Sequence, residues 1–137
     1  MANPLRLYSM TVKPGRLICV VRIAAKRYRY SNPDLAAFVQ RQFPDLPHHA
    51  CVNGKGTTFS CVIDSTSTPH LLEHLAISLQ TQASASADAT FLGTTEWIDE
   101  AVGTARIELS FCDDLEALRA FSEATLFLKN AMVTCLP

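Results

Sequence analysis

The stretch TARIELSFCDDLEALRAFSEATLFLKNAM, residues 104–132, decides the fold class because its apolar spacing changes partway along from two to about 3.6 residues. From Thr104 to Cys112, Ile107, Leu109 and Phe111 alternate with polar neighbours, as in a strand with one buried face. Asp113 followed by Glu116 makes a helix-start signal of the capping-box kind, and Leu115, Leu118, Phe121, Leu126 and Leu128 then recur at helical spacing towards Met132. A half-buried strand running into an amphipathic helix calls for a helix layer packed on a sheet.

The upstream chain reads the same way. Leu5–Lys13 and Arg16–Ala25 form two strands around a Pro14-Gly15 turn, which makes an opening hairpin. Ser31 or Asn32 followed by Pro33 starts a helix carrying Leu35, Phe38, Val39 and Phe43, which Pro44 stops. Asp45–Gly56, with its prolines and glycines, reads as an irregular connection, and Thr57–Asp64 as a strand with Phe59, Cys61 and Ile63 on one side. A second helix runs from Thr68-Pro69 to about Gln82, a small-residue surface loop spans Ala83–Ala89, and Thr90–Ile98 is a further strand. The expected order is β-β-α-β-α-β-β-α over residues 1–137: one α+β domain of two layers, with a mostly antiparallel sheet under three helices.

Composition narrows the function classes. Hydrophobic residues make up 48%, charged residues 18%, and the formal net charge is -1, which suits one globular core and argues against a polyanion-binding surface. The cluster Lys26-Arg27-Tyr28-Arg29-Tyr30 alternates cations with aromatics, a pattern that also suits a solvated strand end and turn, so nucleic acid is an unlikely partner. No apolar run is long enough for a membrane span and no signal sequence is legible, so the cytoplasm is the expected location, where Cys19, Cys51, Cys61, Cys112 and Cys135 stay reduced, three or four of them as core residues. A symmetric homo-oligomer is expected only on general grounds.

Within the second helix, His70-Leu71-Leu72-Glu73-His74 is an H-x-x-E-H pattern. Side chains four apart share a helix face, so His70 and His74 can converge on a zinc ion while Glu73 serves as acid/base. On a helix advancing about 100° per residue, Leu72, Leu75, Ala76 and Leu79 form one stripe. His70, Glu73, His74 and Ile77 lie roughly opposite, as a shared site or a solvated polar face would require. A third ligand is needed; His49, His48, Cys51 and Glu96 are candidates between which the residues alone do not choose.

The segment Pro69-His70-Leu71-Leu72-Glu73-His74-Leu75-Ala76-Ile77-Ser78-Leu79-Gln80 also resembles the H-[LV]-I-E-H-V-A-L-E-L-Q segment of cyanophycin synthetase N-terminal domains. Leu46–Phe59, with His49, Cys51 and Gly54, is similar to that family's L-x-x-H-x-C-x-x-G, Tyr8–Ile23 to its opening hairpin, and Val102–Phe111 to its later strand. Full-length members carry ATP-grasp and Mur-ligase-like domains and build a poly-aspartate chain bearing arginine branches. The resemblance therefore implies a stand-alone N-terminal domain that holds a cyanophycin-like or other peptide-like polymer, in some members cutting it, beside a separate ligase partner. Carried over by residue, it makes His70 and His74 metal ligands, with His49 a further candidate, and Glu73 the catalytic group. Where the family shows F-G-R-T-R this chain has Phe91-Leu92-Gly93-Thr94-Thr95, keeping Thr94 as a substrate-binding candidate but neither of the arginines suited to pairing with substrate carboxylates. A non-catalytic accessory module is the alternative reading.

Overall fold

The computed structural model describes residues 3–86 and 88–137. Strands β1 (Arg6–Lys13) and β2 (Arg16–Arg22) form the opening hairpin. Gly15 holds φ at 73° in its turn, a conformation that costs glycine little. Strands β3 (Ala50–Asn53) and β4 (Gly56–Thr58) make a small hairpin apart, whereas β5 (Gly93–Asp99) and β6 (Thr104–Ser110) join the first pair. The main sheet has the order β1-β2-β6-β5, antiparallel throughout.

Three α-helices accompany it: α1 (Pro33–Gln42), α2 (Thr68–Ala83) and α3 (Asp114–Cys135). Each begins on a side chain that accepts an orphan backbone N–H: Asn32 from Leu35, Ser67 from His70, and Asp113 from both Leu115 and Glu116. The inward face of the sheet (Leu17, Cys19, Val21, Ala105, Ile107, Leu109) meets Leu71, Leu72, Leu75 and Ala76 of α2 and Phe121, Ala124 and Leu128 of α3 in one continuous core. The two-layer α+β architecture is thus as the periodicity predicts.

Four expectations are corrected. Thr57–Asp64 is not a strand: after β4 the chain turns through a 3-10 segment, Phe59–Cys61, which buries Phe59 and Ile63 but leaves Cys61 partly exposed. The β3–β4 hairpin instead occupies part of the expected irregular connection, so the order is β-β-α-β-β-α-β-β-α. The buried stripe of α3 runs through Ala117, Ala120, Phe121, Ala124, Leu128, Ala131 and Met132, while Leu115 and Leu126 are exposed; alanines permit the close packing. Only Cys19 and Cys51 of the cysteines are buried, and all five are free thiols.

The basic cluster is structural in part. Arg29, 6% exposed, donates from its guanidinium to the carbonyls of Ile23, Ala24, Glu100 and Ala101 and so ties the end of β2 to the β5–β6 turn. Such a fork, already filled by carbonyls, is not free to bind phosphate. The expected loop at Ala83–Ala89 begins one residue late, since Ala83 ends α2, and Ala87 lies outside the described residues. Among the described residues no helix is long and apolar enough to cross a membrane.

Candidate functional site

Helix α2 is buried on both sides. Its aliphatic stripe enters the core, and the opposite stripe faces the segment from Asp45 to Phe59 and the start of β5 instead of solvent. Glu73 is 4% and His74 2% exposed, so a solvated polar face does not describe them. These elements enclose an open cleft of about 850 Å³, walled by His48–Val52 on one side and Ala89–Thr95 on the other.

At its base the two helix imidazoles meet, with His70 Nε2 3.2 Å from His74 Nε2. The Sγ of Cys51 lies 3.6 Å from the same His70 nitrogen, and one ligand atom from each of Cys51, His70 and His74 falls within 4.8 Å of the others. The ring of Phe59 stacks on His74 at 4.0 Å between centroids and meets His70 edge-on at 5.1 Å, fixing both imidazoles from behind.

Hydrogen bonds select the tautomers. His49 Nε2–H donates to Asp45 Oδ2 at 2.8 Å, which leaves Nδ1 of a neutral His49 to accept from His74 Nδ1–H at 3.0 Å. The lone pair of His74 is then on Nε2, facing the cluster. The Thr66 hydroxyl, 2.7 Å from His70 Nδ1, can donate to it, leaving His70 Nε2–H to donate to His74 Nε2 at 3.2 Å, or can accept from Nδ1–H once a cation takes the place of that shared proton. Ser78 donates to both oxygens of Asp45. Burial acts to raise the Asp45 carboxyl, but the bonds from His49 and Ser78 outweigh it and hold the group below its ordinary value.

The charges follow burial. Desolvation depresses His70, and desolvation together with the neighbouring His70 and His49 brings His74 down to about 3, so both rings are neutral near pH 7. Desolvation raises Glu73 to about 7 against the opposing bond from Thr95, whose hydroxyl donates to Glu73 Oε1 at 2.7 Å. Its other oxygen, Oε2, stands 3.5 Å from His74 Nε2. Gly93 is required here: a Cβ at that position would lie 2.8 Å from the Cγ of Glu73 and 2.9 Å from Oε2.

The structure therefore brings together His70, His74, Glu73 and Cys51 of the sequence candidates. His49 stands behind His74, on the nitrogen turned away from the cluster, and His48 is exposed on the cleft wall. Glu96 lies on the solvent side of β5, 3.7 Å from Arg106. Thr94 is exposed at the cleft rim, and the adjacent Thr95 makes the bond to Glu73. Reading the residues missed Asp45, Thr66, Gly93 and Thr95. Asp45 alone left a trace, the i,i+4 spacing to His49.

A chemically coherent donor set results: two neutral imidazole nitrogens and a thiol on one side, and a carboxyl able to gain or lose a proton near neutrality on the other. Compared with known families, the chain matches the model described as "Cyanophycin synthase-like N-terminal domain" over residues 20–133. No curated protein matches it.

Proposed function

The chain belongs to the cyanophycin synthase-like N-terminal domain family, and from that membership we propose that it is a zinc-dependent amide hydrolase of a peptide-like polymer. The observation that carries the reading is the convergence of His70 Nε2, His74 Nε2 and Cys51 Sγ beside Glu73 at the base of an open cleft. The spacing supports zinc. Tetrahedral coordination with Zn–N of about 2.0–2.1 Å and Zn–S of about 2.3 Å needs donor separations of about 3.3 Å between nitrogens and about 3.6 Å between nitrogen and sulfur. The His70–His74 and Cys51–His70 separations are 3.2 Å and 3.6 Å, and Cys51 and His74 offer ligand atoms within 4.8 Å of each other.

His70, His74 and Cys51 would hold the ion, with Thr66 and the Asp45–His49 pair keeping both imidazoles turned to it. Zinc, when bound, supplies Lewis acidity that polarises an amide carbonyl and acidifies water. Glu73 moves the proton. Its ionised carboxylate takes one from the attacking water at Oε2 while Thr95 holds Oε1, and the protonated acid then returns it to the amine nitrogen as the C–N bond breaks. A value of about 7 suits both halves of that exchange near neutral pH. A non-catalytic binding module is the second reading, favoured by Gly93-Thr94-Thr95 standing where the family carries arginines.

The test is elemental analysis of untagged protein beside a His70→Ala/His74→Ala variant, followed by amide-cleavage assays on cyanophycin and on neutral polypeptides. The expected result is near-stoichiometric zinc that the double variant loses, and a Glu73→Gln variant that keeps zinc but cleaves roughly a hundredfold or more slowly. Protein that neither contains nor takes up zinc, or a Glu73→Gln variant of undiminished rate, would overturn the proposal.

A further inference from the structure

Strand β5 ends the sheet order β1-β2-β6-β5, so among the described residues one of its edges has no neighbouring strand. Which groups lie on that edge follows from its start. Leu92 N–H donates to Ser110 Oγ and Leu92 C=O accepts from Ser110 N–H, both at 2.8 Å, so Leu92 turns its backbone towards β6. Antiparallel pairing alternates. Gly93 and Thr95 therefore turn their N–H and C=O groups to the free edge, and among the described residues no loop or side chain hydrogen-bonds to them there. The same two residues touch Glu73, through the close approach of Gly93 and the hydroxyl of Thr95. A row of unpaired peptide groups thus borders the cleft that holds the proposed reacting carboxyl.

The cleft also selects by charge. Its lining includes the acids Asp45 and Glu73 but, among the described residues, neither lysine nor arginine. Arg16 reaches Leu92, Gly93 and Thr94 only in a separate shallow hollow shared with Glu108, to which it is paired at 3.3 Å. The mouth carries exposed aliphatic side chains on opposite walls, Val52 fully exposed and Leu92 71% exposed. Along the mouth, away from the base where His70, His74 and Cys51 would hold the ion, an acidic side chain would lose hydration without meeting a lysine or arginine, whereas an aliphatic or neutral one would gain contact.

We propose that the cleft takes its polymer as an extended peptide strand, hydrogen-bonded along the free edge of β5 at Gly93 and Thr95, with neutral or aliphatic side chains, and rejects chains bearing carboxylates. The proposal rests on the reading of this cleft as a peptide-amide site. Main-chain pairing supplies affinity, as in other cases of strand addition, and alternate side chains supply specificity.

The experiment uses the full chain as the Glu73→Gln variant and rhodamine-labelled decapeptides followed by fluorescence anisotropy. One peptide alternates Val and Ser, a second replaces every Ser by Asp, and two more carry N-methyl groups on one or the other alternate set of amides of the first. The Val/Ser peptide is expected to bind about tenfold or more tightly than the Asp peptide, and only one N-methylated set to lose about tenfold, since successive amides face opposite sides of a paired strand. Equal or tighter binding of the Asp peptide, or equal losses from both methylated sets, overturns the proposal. Discriminating binding without cleavage by the wild-type chain sinks the hydrolase reading and leaves the strand-addition proposal standing. Wild-type cleavage of the Asp peptide as fast as the neutral one does the reverse.

Discussion

Replacing Glu73 with glutamine in metal-free protein should make the chain more stable, by an amount that depends on pH. Glutamine keeps the shape of the side chain and still offers an oxygen to the Thr95 hydroxyl, but it cannot ionise. In the wild-type protein burial raises the carboxyl from 4.5 to about 7. Between those values the folded state binds the proton and the unfolded state does not, so the contribution of this carboxyl to wild-type stability falls as pH rises and levels off above about 7. At about 1.36 kcal/mol per pKa unit the loss comes to about 3 kcal/mol. Urea denaturation of both proteins in chelator, at steps from pH 4.5 to 8.5, reads it directly. The difference, variant minus wild type, should climb by about 3 kcal/mol across the lower part of that range and then stay flat. Contributions from His70 and His74 largely cancel in the difference. A difference that does not change with pH, or that falls as pH rises, would refute the assignment of a buried, protonatable carboxyl.

Acid should act through His74. Held neutral with its value brought down to about 3, it contributes roughly 5 kcal/mol to metal-free protein that is lost as pH falls from 6.5 towards 3, opposing the Glu73 contribution, because the unfolded chain takes up the proton first; the difference, wild type minus His74→Gln, should carry that slope in urea melts. Arg29→Ala should cost about 3 kcal/mol or more in urea melts, and Arg29→Lys should recover little of it, since a single ammonium cannot reproduce a fork reaching four carbonyls; a loss under about 1 kcal/mol would mean the fork contributes nothing net. Gly93→Ala should displace the Glu73 carboxyl, costing about 1–3 kcal/mol in stability and lowering any amide-cleavage rate, and a variant matching the wild type in both would show that the strand yields easily.

Most of the fold is legible in local pattern. The alternation of Ile107 and Leu109, the helix starts at Asn32-Pro33, Thr68-Pro69 and Asp113, and the Pro14-Gly15 turn each act through neighbouring residues, so each survives reading without a structure. The segment from Asp45 to Asp64 is not legible in this way. Phe59, Cys61 and Ile63 alternate as a strand does, but burial of Phe59 against His70 and His74 turns the chain into a 3-10 segment, and tertiary packing overrides a short periodicity.

The same division runs through the site. Helical spacing alone places His70, Glu73 and His74 on one face of α2, because residues three and four apart in a helix must neighbour each other. Whether that face meets water or protein is settled only by the return of the Asp45–Phe59 segment and of β5 across it. That closure buries Glu73, supplies Cys51, stations His49 and Asp45 behind His74, and decides by strand register that Thr95, not Thr94, reaches the carboxyl. A helix states its own neighbours within a turn or two, whereas Cys51 to His70 and Glu73 to Thr95 are contacts 19 and 22 residues apart along the chain, made only once the core between them has packed.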